Sequence, residues 1–277
     1  MTIFDAFERR AWSGQAEAYG RTYGLLCGHT APRLLDAAGV EAAAGVGGGA
    51  GIRVLDVGTG TGTVAAAASA RGAEVIAVDA EPSMVAAAAR AVPAAEVRLA
   101  ALPHLPFPDA HVDAVVGNFV LNHVGKPRAA LGELRRVVRP GGRVALTVWP
   151  SPPSPGQALL GRAVQAAGVA RPADAPMLDP LDDFPRTEDG LVGLLAAAGF
   201  TGAVAETLAW EHRVHPDVWW AGPAAGIASL GQLLAAQSPE VVAGVRRQYE
   251  LLAREFALPD GRLALPHTAV LVAAARP

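Results

Sequence analysis

Residues 54–62 have the sequence V-L-D-V-G-T-G-T-G, and residues 75–79, V-I-A-V-D, end in a second acidic residue. The apolar residues before each acid predict two buried strands, and the glycines between them predict a tight turn that opens a helix. Such a turn lets a ligand approach the backbone closely, and Asp79 can accept hydrogen bonds from a ribose diol. Together these parts predict a site for a cofactor that contains a nucleoside.

The spacing of the glycines separates two classes of cofactor. A dinucleotide-binding turn has the pattern Gly-x-Gly-x-x-Gly, which would require a glycine at Thr63. Instead the chain has the pattern D-x-G-x-G-x-G, formed by Asp56, Gly58, Gly60 and Gly62. A Walker-type phosphate loop is excluded, because no Gly-Lys-Ser/Thr follows.

Composition restricts the class of partner. The 277 residues carry a formal charge of −3, and the basic residues are scattered, with Lys126 as the only lysine. This is not the concentrated basic face of a nucleic-acid binder. Cys27 is the single cysteine, so no intrachain disulfide forms, and the most apolar stretch, Val218–Ala236, is too interrupted to span a membrane. We therefore expect a cytoplasmic protein that binds neither nucleic acid nor membrane.

Strands alternate with helices along most of the chain. Strands are predicted at Ile52–Val57, Glu74–Val78, Glu96–Ala100, Val112–Gly117, Arg143–Trp149, Phe200–Leu208 and Thr268–Ala275. Helices are predicted at Thr61–Arg71, Pro82–Ala91, Pro127–Val138, Gln157–Ala167 and Glu188–Ala198, and around Pro216–Ala236 and Pro239–Phe256. This alternation predicts an α/β fold with a mostly parallel sheet that is covered on both faces.

The same pattern predicts a division of the chain into segments. Residues 1–44 form an N-terminal helical lid, 45–208 the cofactor-binding core, 209–267 a helical cap insertion and 268–277 the last core strand. The glycines of Gly45–Gly51 predict a flexible joint, so the lid must be ordered by packing on the cofactor, the cap or a second subunit. The sequence therefore leaves open that a second copy of the chain is a partner, in a homodimer.

A second block of sequence spans residues 102–149. It contains L-P-H-L-P-F-P-D-A-H-V-D-A-V-V at 102–116 and R-P-G-G at 139–142. With D-x-G-x-G-x-G, it makes residues 52–149 similar to the class I S-adenosylmethionine (SAM)-dependent methyltransferases of the ubiquinone- and menaquinone-biosynthesis type and their small-molecule relatives. The resemblance implies a Rossmann-like seven-stranded sheet, SAM as cofactor and S-adenosylhomocysteine (SAH) as product.

The resemblance also implies which residues hold the cofactor. Asp56 faces the methionine ammonium group directly or through water. The turn Gly58-Thr59-Gly60 with Gly62 carries the methionine part, and Asp79 binds the ribose hydroxyls. The remaining expected cofactor contacts are Ala80, Met84, Ala101, Leu102 and Asn118.

One end of the predicted cofactor site departs from the family. Ala101 stands where relatives have an aspartate that accepts from the adenine amino group. Backbone near Leu102, apolar packing or a side chain elsewhere must then hold the adenine. Met84 occupies a position that packs near the adenine in relatives, and a role in the hydrophobic core fits it equally well.

Three residues are candidates for the catalytic side of the pocket. His123 ends the sequence N-F-V-L-N-H that follows the fourth predicted strand, where an imidazole suits a base or an acceptor-orienting group. A packing role fits His123 equally. Tyr19 and Tyr23 come from the N-terminal helices and are expected to line the same pocket.

Aromatic and imidazole side chains suggest where the acceptor binds. The candidates for substrate contacts are His29, Trp149, Trp210, His212, Trp219 and Trp220. Such a surface suits a flat or prenyl-like acceptor, although Trp219 and Trp220 also suit the core of a cap. No metal site is expected, because His212 and His215 lack a third ligand. His267 is expected at the surface or a helix end.

Three functions are compatible with these features. The first is methyl transfer from SAM to O, C or N of a small, largely apolar or aromatic metabolite, quinone-like or a natural product. The second is a SAM-binding protein that uses the cofactor structurally or electrostatically, as in a cyclase. The third is an NAD-dependent oxidoreductase, which Thr63 disfavours.

Overall fold

The structure, a computed structural model, describes residues 2–40, 51–170 and 176–277. In these parts of the chain, seven strands form one sheet: β1 (Arg53–Val57), β2 (Glu74–Asp79), β3 (Glu96–Leu99), β4 (Val112–Asn118), β5 (Val138–Val148), β6 (Thr201–Val214) and β7 (Leu263–Ala275). Their order is β3-β2-β1-β4-β5-β7-β6. The first five strands are parallel, and β7 runs antiparallel to β5 and β6. The predicted α/β class and seven-stranded Rossmann-like sheet are confirmed.

Helices precede the sheet, connect its strands and form a cap. They are α1 (Ile3–Trp12), α2 (Ala16–Arg21), α3 (Tyr23–Cys27), α4 (Ala31–Ala37), α5 (Thr63–Ala70), α6 (Pro82–Ala91), α7 (Pro127–Val137), α8 (Pro155–Ala166), α9 (Glu188–Ala197), α10 (Pro216–Ala224), α11 (Ala228–Ala235) and α12 (Pro239–Ala253). Among the described residues, no helix has both the length and the apolar character needed to cross a membrane.

The segment predicted as one helix, Pro216–Ala236, contains two. Helix α10 ends before Gly226, whose φ of +82° is left-handed, and Ile227 N–H donates to the carbonyl of Gly222. This is a glycine-terminated helix end. The chain then turns and begins α11, so the range predicted as helical consists of two helices.

Both faces of the sheet are covered by hydrophobic clusters. On one face, Leu131, Leu134 and Leu195 from α7 and α9 pack against the strands with no exposed surface. On the other face, Leu34 and Leu35 from α4 pack against strand residues and α5. The central strands are apolar on both sides because each side is buried.

The N-terminal segment is therefore more than a lid. Residues 31–40 belong to the core, because Leu34, Leu35 and Val40 are fully buried. Only α1, α2 and α3 remain for a covering role over the carboxyl ends of the strands. Residues 41–44 of the predicted lid and 45–50 of the predicted joint lie outside the described residues.

The last two strands are longer than predicted. The pairing of β6 with β7 continues through Trp210↔His267 and His212↔Leu265 to Val214↔Leu263. Antiparallel strands need only each other for hydrogen bonds, so this ribbon extends beyond its pairing with β5. The predicted insertion 209–267 is thus shortened to 215–262, because its two ends are strands and not helices. Helices α8, α10 and α12 pack on one face of the ribbon.

We expect Leu35→Ala to lower the free energy of unfolding by ~2–5 kcal/mol, because it leaves a cavity in a fully packed core. Leu25→Ala is the matched control, since Leu25 is 58% exposed, and its effect is expected to stay within about 0.5 kcal/mol. Urea denaturation followed by circular dichroism measures both. Equal effects would show that residues 31–40 do not belong to the core.

Candidate functional site

A cavity of about 460 Å³ lies at the carboxyl ends of the central strands. The order β2-β1-β4 places the strand reversal of the sheet beside it, where open α/β sheets bind ligands. The N-terminal helices and the cap supply the rest of the wall. The predicted site residues that line the cavity are Tyr19, Tyr23, Gly58, Gly60, Asp79, Ala80, Met84, Ala101, Leu102, Asn118, His123, Trp149 and Trp219.

Gly60 and Gly62 of the glycine turn have different structural roles. Gly60 has a φ of +56°, and a Cβ there would lie 3.2 Å from the Tyr19 ring, so only glycine leaves the backbone open at the cavity. Gly62, at φ +88°, does not line the cavity. A Cβ on Gly62 would lie 3.2 Å from Ala88, so this glycine lets α5 approach α6. The predicted cofactor contact of Gly62 is therefore replaced by helix packing.

Asp79 connects the end of β2 to the glycine turn. Its Oδ2 accepts the N–H of Gly60 at 2.8 Å, and its Oδ1 accepts the N–H of Glu81 at 3.0 Å. Burial raises the pKa of Asp79, and these main-chain donors oppose the rise. A carboxylate oxygen has two lone pairs, so each oxygen can accept one more hydrogen bond from a ligand in the cavity.

Asp56 lies behind the turn and does not line the cavity. It is 1% exposed; its Oδ2 accepts the hydroxyl of Thr59 at 2.6 Å, and its Oδ1 has no partner. Burial raises the pKa of Asp56 to about 7. Asp56 and Thr59, both predicted at the cofactor site, do not line the cavity, and their side chains bond to each other beneath the turn.

Asn118 lines the cavity, but its amide is used to join three parts of the fold. Its Nδ2 donates to the carbonyl of Cys27 at 2.9 Å. Its Oδ1 accepts the hydroxyls of Thr30 at 2.7 Å and Thr147 at 2.6 Å. Asn118 thus holds the N-terminal segment against β4 and β5.

His123 is held by a carboxylate that the sequence prediction missed. Its Nδ1 lies 2.8 Å from Glu8 Oε2, and the same oxygen accepts the indole N–H of Trp12 at 3.2 Å. An ionised carboxylate only accepts, so Nδ1 carries the hydrogen, and Nε2 of the neutral ring is left as the basic nitrogen. Glu8, Trp12 and His123 all line the cavity. The only signal for this arrangement was the i, i+4 spacing of Glu8 and Trp12 in α1.

The phenol and thiol side chains of the cavity are neutral. Burial raises the pKa of Cys27 to about 12 and keeps the pKa values of Tyr19 and Tyr23 above their ordinary value. The neighbouring thiol of Cys27 contributes to the raised pKa of Tyr19. At neutral pH, Tyr19 and Tyr23 can therefore position a ligand, but they are poor general bases.

The adenine end of the predicted site is apolar. Met84 is 3% exposed and also lines the cavity, so its two predicted roles are compatible. Ala101 and Leu102 line the same part of the cavity. At Ala101, where the resemblance implies an aspartate, the cavity wall is thus apolar.

The aromatic residues divide into a wall and a supporting layer. Trp149 stacks on Phe119 with ring centroids 3.9 Å apart, and both line the cavity with Trp219. Trp220 lies elsewhere, against Tyr249 at 5.5 Å, because neighbouring residues of a helix point about 100° apart. Trp220, which was predicted to contact substrate, therefore does not line the cavity.

Three other predicted substrate residues lie behind this wall. Trp210 stacks on His29 at 5.9 Å and on His267 at 6.0 Å, and His212 Nδ1 lies 3.4 Å from His29 Nε2. None of Trp210, His29 and His212 lines the cavity. Among the described residues, no group of three or more His, Cys, Asp or Glu side chains is placed to hold a metal ion.

His267 lines the cavity and is only 1% exposed, so its predicted surface position was wrong. It lies on the inner face of the β6–β7 ribbon, whose extension the sequence pattern did not reveal. Its Nε2 has no hydrogen-bond partner, and the indole nitrogens of Trp210 and Trp219 are also buried without one. Each such group costs ~1–3 kcal/mol when it is left unpaired in the interior.

The charged residues of the cavity wall are mostly acidic. They are Asp5, Glu8, Asp79 and Glu81, against the single base Arg9. An excess of negative charge in a recessed site favours a cationic ligand.

Residues 55–146 match the family model described as a methyltransferase domain. Together with the sheet, this match confirms the resemblance to the methyltransferases over this part of the chain. A curated relative, the demethylmenaquinone methyltransferase of Thermus thermophilus, is 44% identical over 88 residues, which are 30% of this chain and 40% of the relative. The chain thus matches less than half the length of that relative.

Solved structures show the same fold. A putative methyltransferase from Bacillus halodurans has a TM-score of 0.56 at 18% identity, over 90% of this chain and 99% of the other. Phosphoethanolamine N-methyltransferase 2 of Haemonchus contortus, solved with phosphomonomethylethanolamine and SAH, has a TM-score of 0.53 at 17% identity, over 90% and 52%. At these identities the likeness concerns the fold alone.

We expect Asp56→Asn to stabilise the ligand-free protein more at pH 8 than at pH 5. Burial raises the pKa of Asp56 from its ordinary value of 3.8 to about 7, so its contribution to stability is complete below the lower value and is lost as the pH rises through about 7. The difference between the two pH values should be on the order of 2 kcal/mol. Urea denaturation measures it, with the exposed Asp189→Asn as control. The same effect of Asp56→Asn at both pH values would contradict this account.

Proposed function

We propose that the protein is an enzyme that transfers the methyl group of SAM to a small, largely apolar or aromatic acceptor. One observation carries this proposal: the turn at Gly60 and Asp79 faces the same cavity as His123, which Glu8 orients. A cofactor site and a positioned base thus share one enclosed space.

The residues of the cavity fit SAM. Asp79 has free acceptor positions for the ribose hydroxyls, and the open backbone at Gly60 provides a surface for the methionine part. SAM is a cation at its sulfonium and ammonium groups, which suits the acidic wall. When bound, it supplies an electrophilic methyl group. The Haemonchus contortus relative, which was solved with SAH, shows that this fold accommodates such a ligand.

The residues around His123 suit an acceptor that loses a proton. Nε2 of His123 takes the proton from a hydroxyl or an acidic carbon, and Glu8 stabilises the imidazolium that forms. Trp12 keeps Glu8 in place through its indole N–H. The remaining requirement is in-line alignment of acceptor and methyl group with exclusion of water, which the enclosing N-terminal helices and cap provide.

The apolar wall indicates the chemical class of the acceptor. Phe119, Trp149, Leu160 and Val124 line the cavity and suit a flat ring or a prenyl chain. The name of the Thermus thermophilus relative supports a quinone-like acceptor. We therefore place the acceptor among quinols, phenols and related natural products.

Two measurements test the proposal directly. SAH should raise the melting temperature of the protein, since a ligand at 100 times its Kd stabilises by ~2.7 kcal/mol, whereas NAD should not. Incubation with SAM and a panel of phenols and quinols should then give a product heavier by one methyl group. Stabilisation by NAD instead of SAH would reject the proposal. SAH binding without methylation of any acceptor would favour a non-transferring SAM-binding protein.

We expect Asp79→Ala to weaken SAH binding at least about tenfold, because it removes charge-assisted hydrogen bonds worth roughly 1.5–3 kcal/mol. Isothermal titration calorimetry measures the change. Asp109→Ala is the control, since Asp109 is 75% exposed and outside the cavity wall. Unchanged affinity in Asp79→Ala would place the ribose elsewhere.

We expect His123→Ala to lower kcat by ~10²–10⁴ for an acceptor that loses a proton. Glu8→Gln should cause a smaller loss of roughly 10–100-fold, because the base remains but its orienting charge is gone. Neither variant should alter SAH affinity, which separates catalysis from cofactor binding. A loss below tenfold in His123→Ala would assign that residue a packing role.

A further inference from the structure

Unpaired ring nitrogens are concentrated at one place in the described parts of the chain. Among all the described residues, four buried side-chain polar atoms lack a hydrogen-bond partner. Three of them lie close together: Trp210 Nε1, Trp219 Nε1 and His267 Nε2. His267 lies 6.0 Å from Trp210 and 5.4 Å from Trp219, measured between ring centroids. His267 and Trp219 also line the cavity, so a ligand there reaches the two buried nitrogens once the side chains that cover them move aside.

The hydrogen-bonding character of these two residues is fixed. Nδ1 of His267 lies 2.9 Å from the carbonyl oxygen of Leu265, which only accepts, so Nδ1 carries the hydrogen. Nε2 is therefore an acceptor. The indole nitrogen of Trp219 is only a donor. The wall thus offers one acceptor and one donor within a single aromatic contact.

The surroundings of the pair are uncharged. Burial lowers the pKa of His267 to about 4, and its ring neighbours are Trp149, Trp210, Trp219 and His212, whose pKa burial also lowers to about 4. The acids and the arginine of the cavity wall come instead from α1 and from the end of β2. A carboxylate or phosphate placed beside His267 would have no cation to balance it, so the pair suits a neutral group.

We propose that His267 and Trp219 form a subsite for a neutral hydroxyl group of the acceptor. A hydroxyl donates to Nε2 and accepts from the indole N–H with one oxygen atom, whereas a carbonyl or an ether cannot donate. This inference rests on the proposed function and names the acceptor more narrowly: a hydroxylated, uncharged, largely aromatic molecule. The hydroxyl held here is a recognition group; methyl transfer takes place elsewhere, at the acceptor atom that His123 serves.

Phenol and toluene are suitable probes, because they share a ring and differ by one hydroxyl. Each is titrated into the SAH-loaded protein, and binding is followed by the indole N–H signals of ¹⁵N-labelled tryptophan. His267→Phe removes the acceptor nitrogen, and Trp219→Phe removes the donor. Trp220→Phe is the control, because Trp220 is the neighbouring indole but does not line the cavity.

We expect His267→Phe to weaken phenol binding about tenfold while changing toluene binding less than threefold. Trp219→Phe should likewise weaken phenol binding more than toluene binding, and it provides the test if His267→Phe does not fold. Trp220→Phe should leave both affinities unchanged. The proposal is overturned if phenol does not bind, or if each substitution changes phenol and toluene equally. Melting temperature with SAH is recorded in parallel, so failure of the cofactor site is distinguished from failure of this subsite.

Discussion

The position of the N-terminal segment depends on the side-chain amide of Asn118 at the end of β4. It bonds at once to the carbonyl of Cys27 and to the hydroxyls of Thr30 and Thr147. These bonds fasten the chain between α3 and α4 to two neighbouring strands, just where the cavity begins. Because buried amide groups must be paired, this arrangement permits only one register between segment and sheet. The helices that cover the cavity are placed by it.

That placement makes the site a composite of distant parts of the chain. Glu8 and Tyr19 come from helices that precede the sheet, whereas Asp79 ends β2 and His123 follows β4. The N–H of Gly125 donates to Asp5 at 2.7 Å, and the N–H of Gly14 donates to Glu81 at 3.2 Å, so α1 is attached at both of its ends. The base is oriented only while α1 is attached. Docking of the N-terminal helices and orientation of His123 are therefore one structural event.

The glycine turn and the strand beside it could be predicted, because their parts are close in sequence and obey local rules. The turn from Asp56 to Gly62 and the strand that ends at Asp79 follow from glycine spacing and apolar runs. The pairing of Glu8 with His123 spans 115 residues and has no local signature. His267 was misplaced because the ribbon of β6 and β7 continues past the sheet. Trp219 faces the cavity and Trp220 does not because of how α10 is rotated about its axis. Such features are set by packing, which a pattern in one segment does not contain.

The cap leaves and rejoins the sheet at a single paired position, Val214↔Leu263. Paired residues of antiparallel strands lie about 5 Å apart, so residues 215–262 form an excursion whose two ends nearly meet. An excursion of this kind is an exchangeable module: another segment of different length and lining could replace it without disturbing the strands that carry the glycine turn. Trp219 belongs to this module, whereas Asp79, His123 and His267 belong to the frame that would stay. The proposed acceptor subsite thereby lies partly on a replaceable segment, through Trp219, and partly on the frame, through His267, so one side of the cavity can vary while the other stays the same.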